Sequence, residues 1–397
     1  MTQTADHATD VEQLHALVDQ LIREHDPAGD RHAFMGAQFD MGLAWVQFPK
    51  GNGGLAMAPS MQDLIDGRLD EVTQHRPTFF DIIGHGMGAP VLVAHGTDEQ
   101  KQRHLRPLFT GEEVWCQLFS EPGAGSDVAG LSTRAAKDGD QWIVNGQKVW
   151  TTVAHIAKWG MLVARTDPEL PKHQGLTYFL IDMHADGVEV KPLRQITGEA
   201  EFNEVFMTDV AIPDGDRIGN RGDGWRVALT TLMNERVAIG GKATARNSGA
   251  IGHLLDVWAE YGGTDKDRDR VMQLWVQAEA ARLTNLRAHE NRTAGTPGPE
   301  GSTAKLVYAE LNKKIYDLAV GLMGPEGMLY DSDEFIQPTT PEEMPGDMRR
   351  RFLRSRANSI EGGTSEIMKN ILGERVLGLP GEPRVDKDLP WADVPRS

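Results

Sequence analysis

The sequence has a single cysteine, and that scarcity excludes several kinds of protein. With Cys116 alone, the chain cannot form an internal disulfide or a cysteine-based metal cluster. His85 and His95 have no ligand spacing to other metal-binding side chains, so we predict structural roles for both and no metal site. A lone cysteine is usually a small apolar core residue, as we expect for Cys116. Absence of disulfides fits a reducing compartment, so we expect a cytoplasmic protein.

Positive charge is also scarce. The 397 residues include 41 lysine and arginine residues against 58 aspartate and glutamate residues, a net charge of −17. No basic block is long enough to follow a phosphate backbone, which argues against nucleic acid as a partner.

Long apolar runs are missing as well. Charged residues interrupt every stretch that approaches the length of about 20 residues needed to span a bilayer. The N-terminal residues have neither the basic start nor the apolar core of a signal peptide. We therefore expect neither export nor membrane insertion.

What the sequence does contain is a succession of helical, β and helical patterns. Leu14, Val18 and Leu21 recur at helical spacing, and Thr97 with Gln100 has the residue types of a helix-starting capping box. Residues 1–112 are therefore predicted to form a helical domain.

Residues 113–222 show short β-rich runs bounded by Gly, Asp and Pro. These runs are Trp142–Val144, Gly160–Ala164, Leu176–Ile181 and Phe202–Met207. Asp138-Gly139-Asp140 and Asn145-Gly146 predict hairpin turns between strands. The pattern favours an antiparallel β domain.

From residue 223 to 397 the helical period returns. The residues that recur at helical spacing are Trp225, Leu229, Leu232, Arg236 and Ile239 on one helix. On another helix, Leu311, Ile315, Leu318 and Leu322 form a predicted apolar stripe. Long helices joined by short loops favour a four-helix bundle. The fold class is thus α+β, with an N-terminal helical domain, a middle antiparallel β domain and a C-terminal bundle.

Three segments together resemble the acyl-CoA dehydrogenase family, whose domains follow this order. The segments are Ser120-Glu121-Pro122-Gly123-Ala124-Gly125-Ser126-Asp127, Trp142–Thr152 and Ile360-Glu361-Gly362-Gly363-Thr364-Ser365-Glu366. The tail Arg375–Pro380 is similar to that of bacterial lipid- and sterol-degrading members. The resemblance implies FAD as cofactor and an acyl-CoA as substrate.

The resemblance also implies which residues meet these ligands. The implied FAD contacts are Leu118, Ser120, Gly125, Ser126, Trp150, Thr152, Thr364 and Glu366. It further implies that Ser126 and Arg236 meet the CoA portion. Hydroxyl and backbone N–H donors suit a flavin that becomes an anion on reduction. Core packing remains the alternative for Trp150, and an exposed helix surface is the alternative for Arg236.

The catalytic base is open between two glutamates. Oxidation of an acyl-CoA needs a carboxylate that removes the α-proton. In the commonest branch of the family, the base immediately precedes Gly-Thr, where this chain has Gly362. A second branch carries a Glu before a helix arginine, which Glu235-Arg236 matches. We hypothesise that Glu235 is the base and Glu361 the alternative, with the Gly362 N–H polarising the thioester carbonyl. Without the resemblance, Glu235 would be taken for a helix-surface residue.

The assembly and the electron acceptor also follow from the resemblance. Family homotetramers carry Arg-x-x-Phe-Gly and Gln-x-x-Gly-Gly-x-Gly runs, which are altered here to Asp267–Leu274 and Gly321–Gly327. A homo-oligomer and a mixed assembly with a related chain are both open, with an electron-transfer flavoprotein as acceptor. A flavin monooxygenase or oxidase and an FAD-holding partner subunit are the alternative functions. The Arg349–Arg356 cluster could face phosphates or form a solvated helix face.

Overall fold

A computed structural model describes residues 2–240, 245–293, 300–330, 332, 334–343, 346–383 and 386–395. Its α-helices are α1 (Thr2–Glu24), α2 (Arg31–Asp40), α3 (Gln62–Asp70), α4 (Ala89–His95), α5 (Asp98–Thr110), α6 (Gly224–Gly240), α7 (Gly249–Tyr261), α8 (Asp265–Thr293), α9 (Glu300–Leu322), α10 (Met348–Arg354) and α11 (Ser365–Ile371). Its strands are β1 (Trp115–Leu118), β2 (Arg134–Asp138), β3 (Gln141–Thr152), β4 (Trp159–Arg165), β5 (Leu176–Asp182), β6 (Val188–Pro192), β7 (Phe202–Pro213) and β8 (Arg217–Ile218).

The N-terminal helices pack as the apolar spacing predicts. Leu14, Val18 and Leu21 are buried in one cluster with residues of α2 and α3. The predicted capping box is confirmed at α5, where the Thr97 hydroxyl accepts the Gln100 backbone N–H at 3.2 Å and the Gln100 side chain accepts the Thr97 N–H at 2.9 Å. These contacts fix where α5 begins. The sheet starts shortly after α5 ends, at Trp115.

The middle region forms one sheet in the order β6-β7-β3-β2-β4-β5-β8, with β1 paired to β4. Most pairings are antiparallel, as predicted, but β1 runs parallel to β4, and Arg134 of β2 pairs in parallel with Arg165 of β4. The sheet is therefore mixed. Each parallel pair is separated in the chain by at least one intervening strand, so no tight hairpin forces its two strands to be antiparallel.

One of the predicted hairpin turns is wrong. Asp138 and Gln141 flank a hairpin turn in which Gly139 has φ +56°, as predicted. Asn145 and Gly146, in contrast, lie inside strand β3. A Cβ added at Gly146 would lie 2.3 Å from the Thr133 hydroxyl oxygen. Glycine is used there for close approach of a neighbouring segment rather than for a turn.

The buried face of α6 also differs from the predicted stripe. Val227, Ala228 and Thr231 are fully buried, whereas Leu229 is 38% exposed. Helix α6 packs on β5, where the Thr231 hydroxyl bonds to the Tyr178 hydroxyl at 3.1 Å. Its position between neighbours, and not its apolar period alone, sets which face is buried. The side chains of Arg236 and Ile239 lie outside the described residues.

The long helix α9 packs against α6, α7 and α8, and the predicted stripe Leu311, Ile315 and Leu318 is buried there. The short helices α10 and α11 also pack on α9. Cys116 lies in the sheet core, and burial raises the pKa of its thiol. In the described ranges, no helix has both the length and the apolarity to cross a membrane.

The C-terminal residues return to the sheet. The Trp391 indole N–H donates to the Gly130 carbonyl at 3.1 Å, and the ring stacks under the Arg165 guanidinium at 4.4 Å. Lys172 bridges Asp386 and Asp127 at 2.7 and 2.9 Å. These contacts steady the loop that follows the Gly125-Ser126 turn.

Candidate active site

Two of the segments that carry the resemblance lie side by side and form what we call the β wall, Phe119–Asp127 with Gln147–Thr152. The Val149 N–H donates to the Ser120 carbonyl at 2.9 Å. The Lys148 ammonium donates to the Phe119 carbonyl at 3.0 Å and to the Glu121 carboxylate at 2.9 Å. Lys148 is 0% and Glu121 8% exposed, so this ion pair is a buried clamp between the segments.

The Glu121 carboxylate also accepts the backbone N–H groups of Ser132 at 2.6 Å and Thr133 at 2.9 Å. Burial by itself raises the pKa of Glu121, but the Lys148 charge and these hydrogen bonds outweigh it and lower the pKa. Burial lowers the pKa of Lys148, and Glu121 opposes that effect. The carboxylate is therefore held ionised against a cation.

The sequence interpretation did not single out this pair. A signal was present, because Lys148 continues the alternation of the buried Trp142 and Val144 along β3. That alternation places Lys148 on the inward face. A lysine on an inward face needs a buried acceptor, which Glu121 supplies.

Trp150 is 57% exposed and has φ +59°, so its alternative role as a core residue is wrong. Between Lys148 and Thr151, β3 advances three residues while β7 advances two, which places a bulge at Trp150. A left-handed backbone costs roughly 1–2 kcal/mol for a residue with a side chain. The Trp150 ring makes a T-shaped contact with the Phe202 ring, with 5.8 Å between the ring centres. The rest of the Trp150 ring surface is open to a planar ligand.

The other predicted cofactor contacts in this region differ in how exposed they are. Ser120 and Thr152 are half-buried beside Trp150, while Gly125 and Ser126 are exposed on the turn at the end of the β wall. Leu118 is wholly buried in the sheet core, so only its backbone is placed to meet a cofactor.

Thr364 and Glu366 begin α11. The Thr364 hydroxyl accepts the Ile367 N–H at 3.1 Å and caps the helix. Glu366 is exposed in the first helical turn. Both residues lie directly after the glycine turn, but the cap already uses the Thr364 hydroxyl oxygen as an acceptor.

The Glu361 carboxylate accepts three hydrogen bonds from two residues. Arg354 donates to its two oxygens at 3.1 and 2.8 Å, and the Asn358 amide donates at 2.8 Å. The Arg354 guanidinium also lies 3.5 Å from Glu201 and 5.6 Å from the Phe202 ring centre. This chain of contacts connects the glycine turn to the partner ring of Trp150.

Three of the five arginines in the Arg349–Arg356 cluster contact carboxylates, and the other two, Arg351 and Arg356, donate to backbone carbonyls. Arg350 bonds to the buried Glu199 and Arg354 to Glu361. Arg349 lies 3.4 Å from Asp347. The hypothesis that these arginines grip a phosphate gains no support from these contacts.

Glu235 and Gly362 line one cavity of about 650 Å³, whose walls are otherwise built by α7, α8 and α9. Gly362 and Gly363 have φ +60° and +93°, a conformation that favours glycine at both positions. Among the described residues, the Gly362 N–H donates to no acceptor. We call Glu235, the turn Asn358–Thr364 and the facing part of α9 the helical wall.

The chain matches the acyl-CoA dehydrogenase N-terminal domain over residues 6–112, the middle domain over 116–210 and the C-terminal domain over 222–377. These three matches cover most of the chain in the order of the observed helices, sheet and bundle.

Two curated relatives come from Mycobacterium tuberculosis (strain ATCC 25618 / H37Rv). The acyl-CoA dehydrogenase IpdE1 is 35% identical, with 91% of each chain covered. The acyl-CoA dehydrogenase FadE34 is 39% identical over 86% of this chain, which spans 45% of the length of FadE34. The solved ChsE4-ChsE5 complex from Mycobacterium tuberculosis has a chain 26% identical to this one, with a TM-score of 0.69 over 94% of this chain and 97% of that one.

Proposed function

The chain belongs to the acyl-CoA dehydrogenase family of FAD-dependent oxidoreductases, and from that premise we propose that it oxidises the Cα–Cβ bond of an acyl-CoA with Glu235 as base. One observation carries the assignment of the base. Glu235 lines the same cavity as Gly362, and Glu361 is not among the described residues that line it.

The residues of the β wall fit FAD. The exposed face of Trp150 suits a planar ring, and the open turn at Gly125 lets a backbone N–H approach a ligand, since nothing lies within 4 Å of a Cβ added there. Ser120, Ser126 and Thr152 add hydroxyl groups along the same wall. When bound, FAD supplies the acceptor for the hydride that leaves the substrate Cβ.

We assign proton removal and binding of the thioester oxygen to residues of the helical wall. Glu235 removes the α-proton of the acyl group, and the Gly362 N–H donates to the thioester oxygen on which charge develops. The cavity of about 650 Å³ next to both residues is the candidate acyl pocket.

The test is a pair of identical substitutions at the two glutamates. Glu235→Gln should retain FAD but lose flavin reduction by at least about a thousandfold, within the usual contribution of a general base. Glu361→Gln, the matched control, should keep reduction within about tenfold, because it loses a contact to Arg354 but no proton acceptor. Anaerobic bleaching of the flavin by short, long, branched and steroid-type acyl-CoAs is the measurement.

The outcomes separate the alternatives. Loss of reduction in Glu361→Gln, with near-normal reduction in Glu235→Gln, would make Glu361 the base. Absence of bleaching of the wild type by every acyl-CoA would reject the dehydrogenase proposal. Rapid reoxidation of the reduced flavin by oxygen would favour the oxidase or monooxygenase alternative, whereas reoxidation by an electron-transfer flavoprotein supports the proposed acceptor.

We also infer an oligomer, either of identical chains or of this chain with a related one. Helix α8 exposes a row of large apolar side chains along one face, namely Met272, Val276, Leu283 and Leu286. Such a face is typical of a protein–protein contact. Native mass spectrometry of the chain alone and with a co-expressed relative distinguishes the two assemblies, and a strictly monomeric chain with bound FAD would contradict both.

A further inference from the structure

A buried lysine lies directly behind the glycine turn. Lys305 of α9 is 7% exposed, and its ammonium donates to the backbone carbonyls of Asn358 and Gly363, each at 2.7 Å. These two carbonyls stand on either side of Gly362. Lys305 also lines the cavity shared by Glu235 and Gly362.

The turn is attached to α9 at further points. The Asn312 amide donates to the Asn358 side-chain oxygen at 3.3 Å. The Ser365 hydroxyl donates to Glu310 at 2.9 Å. These bonds hold the two ends of the turn, whereas Lys305 grips its backbone on both sides of Gly362.

The two successive glycines of the turn need hydrogen bonds from a neighbouring element to fix their backbone. Gly362 and Gly363 have no side chains with which to pack, and both adopt left-handed conformations. Glycine has the widest conformational freedom of any residue, so the direction of the Gly362 N–H is poorly fixed by its own backbone. An ammonium group has three donors on a compact centre and can hold two carbonyls at once.

The Lys305 ammonium also interacts electrostatically with the carboxylates proposed for the reaction. Burial lowers the pKa of the Lys305 ammonium below its ordinary value, while the carboxylates of Glu361, Glu235 and Glu310 oppose burial and favour the charged form. The cation is thus located where a negative charge would develop on the thioester oxygen beside Gly362. Its attraction in a partly dry cavity exceeds what it would be in water.

We propose that Lys305 is a positioning residue of the reaction, which fixes the Gly362 N–H for the thioester oxygen and places a cation behind it. This role rests on the proposed dehydrogenase function. It predicts an effect on the chemical step rather than on substrate binding, because the hydrogen bond strengthens as charge develops.

The test is Lys305→Met, which keeps an unbranched side chain of similar length and removes the donors and the charge. We expect kcat to fall about 100-fold with KM changed less than about threefold, as for a misplaced catalytic donor. Hydrogen exchange of the Asn358–Thr364 amides, followed by mass spectrometry, should become faster in the same variant. Lys101→Met is the matched control, since Lys101 pairs with Asp98 of α5 at 3.2 Å and contacts no group of the turn, and it should leave kcat within about twofold.

Lys305→Gln is made in parallel in case the Met variant does not fold. Gln has no charge, and its amide reaches one atom less far than the lysine ammonium, so it should also lower kcat with little change in KM. A kcat within threefold of wild type in either folded variant overturns the proposal, as does failure of both variants to fold, which would make Lys305 a purely structural residue. These outcomes differ from failure of the proposed function, in which the wild type itself shows no reduction by any acyl-CoA.

Discussion

The β wall and the helical wall of the site are held by different kinds of contact. In the β wall, the Val149–Ser120 backbone hydrogen bond and the buried Lys148–Glu121 pair fix two segments against each other, and the ladder between β3 and β7 holds one of them in the sheet. In the helical wall, side chains of α9 reach across to a glycine turn that has no regular hydrogen-bond ladder of its own. The β wall combines backbone pairing with a buried side-chain clamp, whereas the helical wall is attached to α9 by side chains.

The difference suggests a division of labour. A large cofactor that stays bound is best served by a surface that does not move, which a sheet with a buried clamp provides. A thioester that enters and leaves each cycle is served by a turn whose donor is aimed by a neighbouring helix. Substitutions in the β wall should therefore change stability and cofactor content, whereas those in the helical wall should change turnover.

The largest effect on this comparison is expected from Lys148→Met. The variant leaves the Glu121 carboxylate buried without its cation, which should lower the free energy of unfolding by about 3–5 kcal/mol. FAD content should fall with it, because the two segments of the β wall are no longer clamped. Urea unfolding and the visible spectrum are the measurements.

Lys158→Met is the matched control for the clamp. Lys158 pairs with Asp182 at 2.6 Å, but both side chains are more than a third exposed. Such a surface pair contributes about 0–1 kcal/mol. Equal losses in the two lysine variants would show that the Lys148 pair has no special part in the β wall.

A smaller effect is expected at His85, whose segment packs against α6, the helix that carries Glu235. His85 lies in a π-helical turn, Gly84–Gly88, against which α6 packs. Burial lowers its pKa from 6.5 to about 4, with Asp81 opposing and Arg31 assisting. Below pH 6.5 the unfolded chain takes up a proton that the folded chain refuses, so stability is lost as the pH falls toward 4. The loss between pH 7 and pH 5 should be about 2 kcal/mol.

His85→Phe should remove that pH-dependent loss, as measured by urea unfolding at the two pH values. His184→Phe is the control, since the His184 side chain is 67% exposed. A wild type and a His85→Phe variant with the same pH slope would contradict the assignment of the loss to His85.

The smallest effect on stability is expected from Trp150→Gly. Relief of the left-handed backbone, roughly 1–2 kcal/mol, should offset the lost ring contact with Phe202, about 0.5–1.5 kcal/mol. The cofactor-free chain should then unfold within about 1 kcal/mol of wild type, while FAD binding weakens. Trp142→Gly on the same strand is the control, because Trp142 is 2% exposed and its loss should cost about 3–5 kcal/mol. Unchanged FAD affinity in Trp150→Gly would remove Trp150 from the proposed cofactor site.

Much of the fold could be predicted because its elements have strong local signals. The stripe Leu311, Ile315 and Leu318 and the capping residues at Thr97 each act within a few residues of chain. The hairpin turn predicted at Asn145-Gly146 was wrong, because this dipeptide occurs both in turns and where another segment approaches closely. Which of the two applies here depends on Thr133, which lies against Gly146. The stripe of α6 misled for a similar reason, since a helix between several partners does not bury a single face.

The candidate site divides in the same way. The residues of the three resembling segments were found from sequence, and so was the pair of glutamates that compete for the role of base. Neither the Lys148–Glu121 clamp nor Lys305 was found, because each depends on a contact between segments that sequence spacing does not join.

The sequence alone determined the order of helical and β regions, the glycines at 362 and 363, and the absence of a carboxylate in the slot before Gly-Thr. These properties are local, since they depend on residue type, period and backbone freedom. Only the tertiary structure decided that Glu361 is bound to Arg354 while Glu235 opens onto the cavity with Gly362. The physical reason is that a carboxylate's chemistry depends on its neighbours, and these neighbours are brought together by packing between helices that lie far apart in the chain.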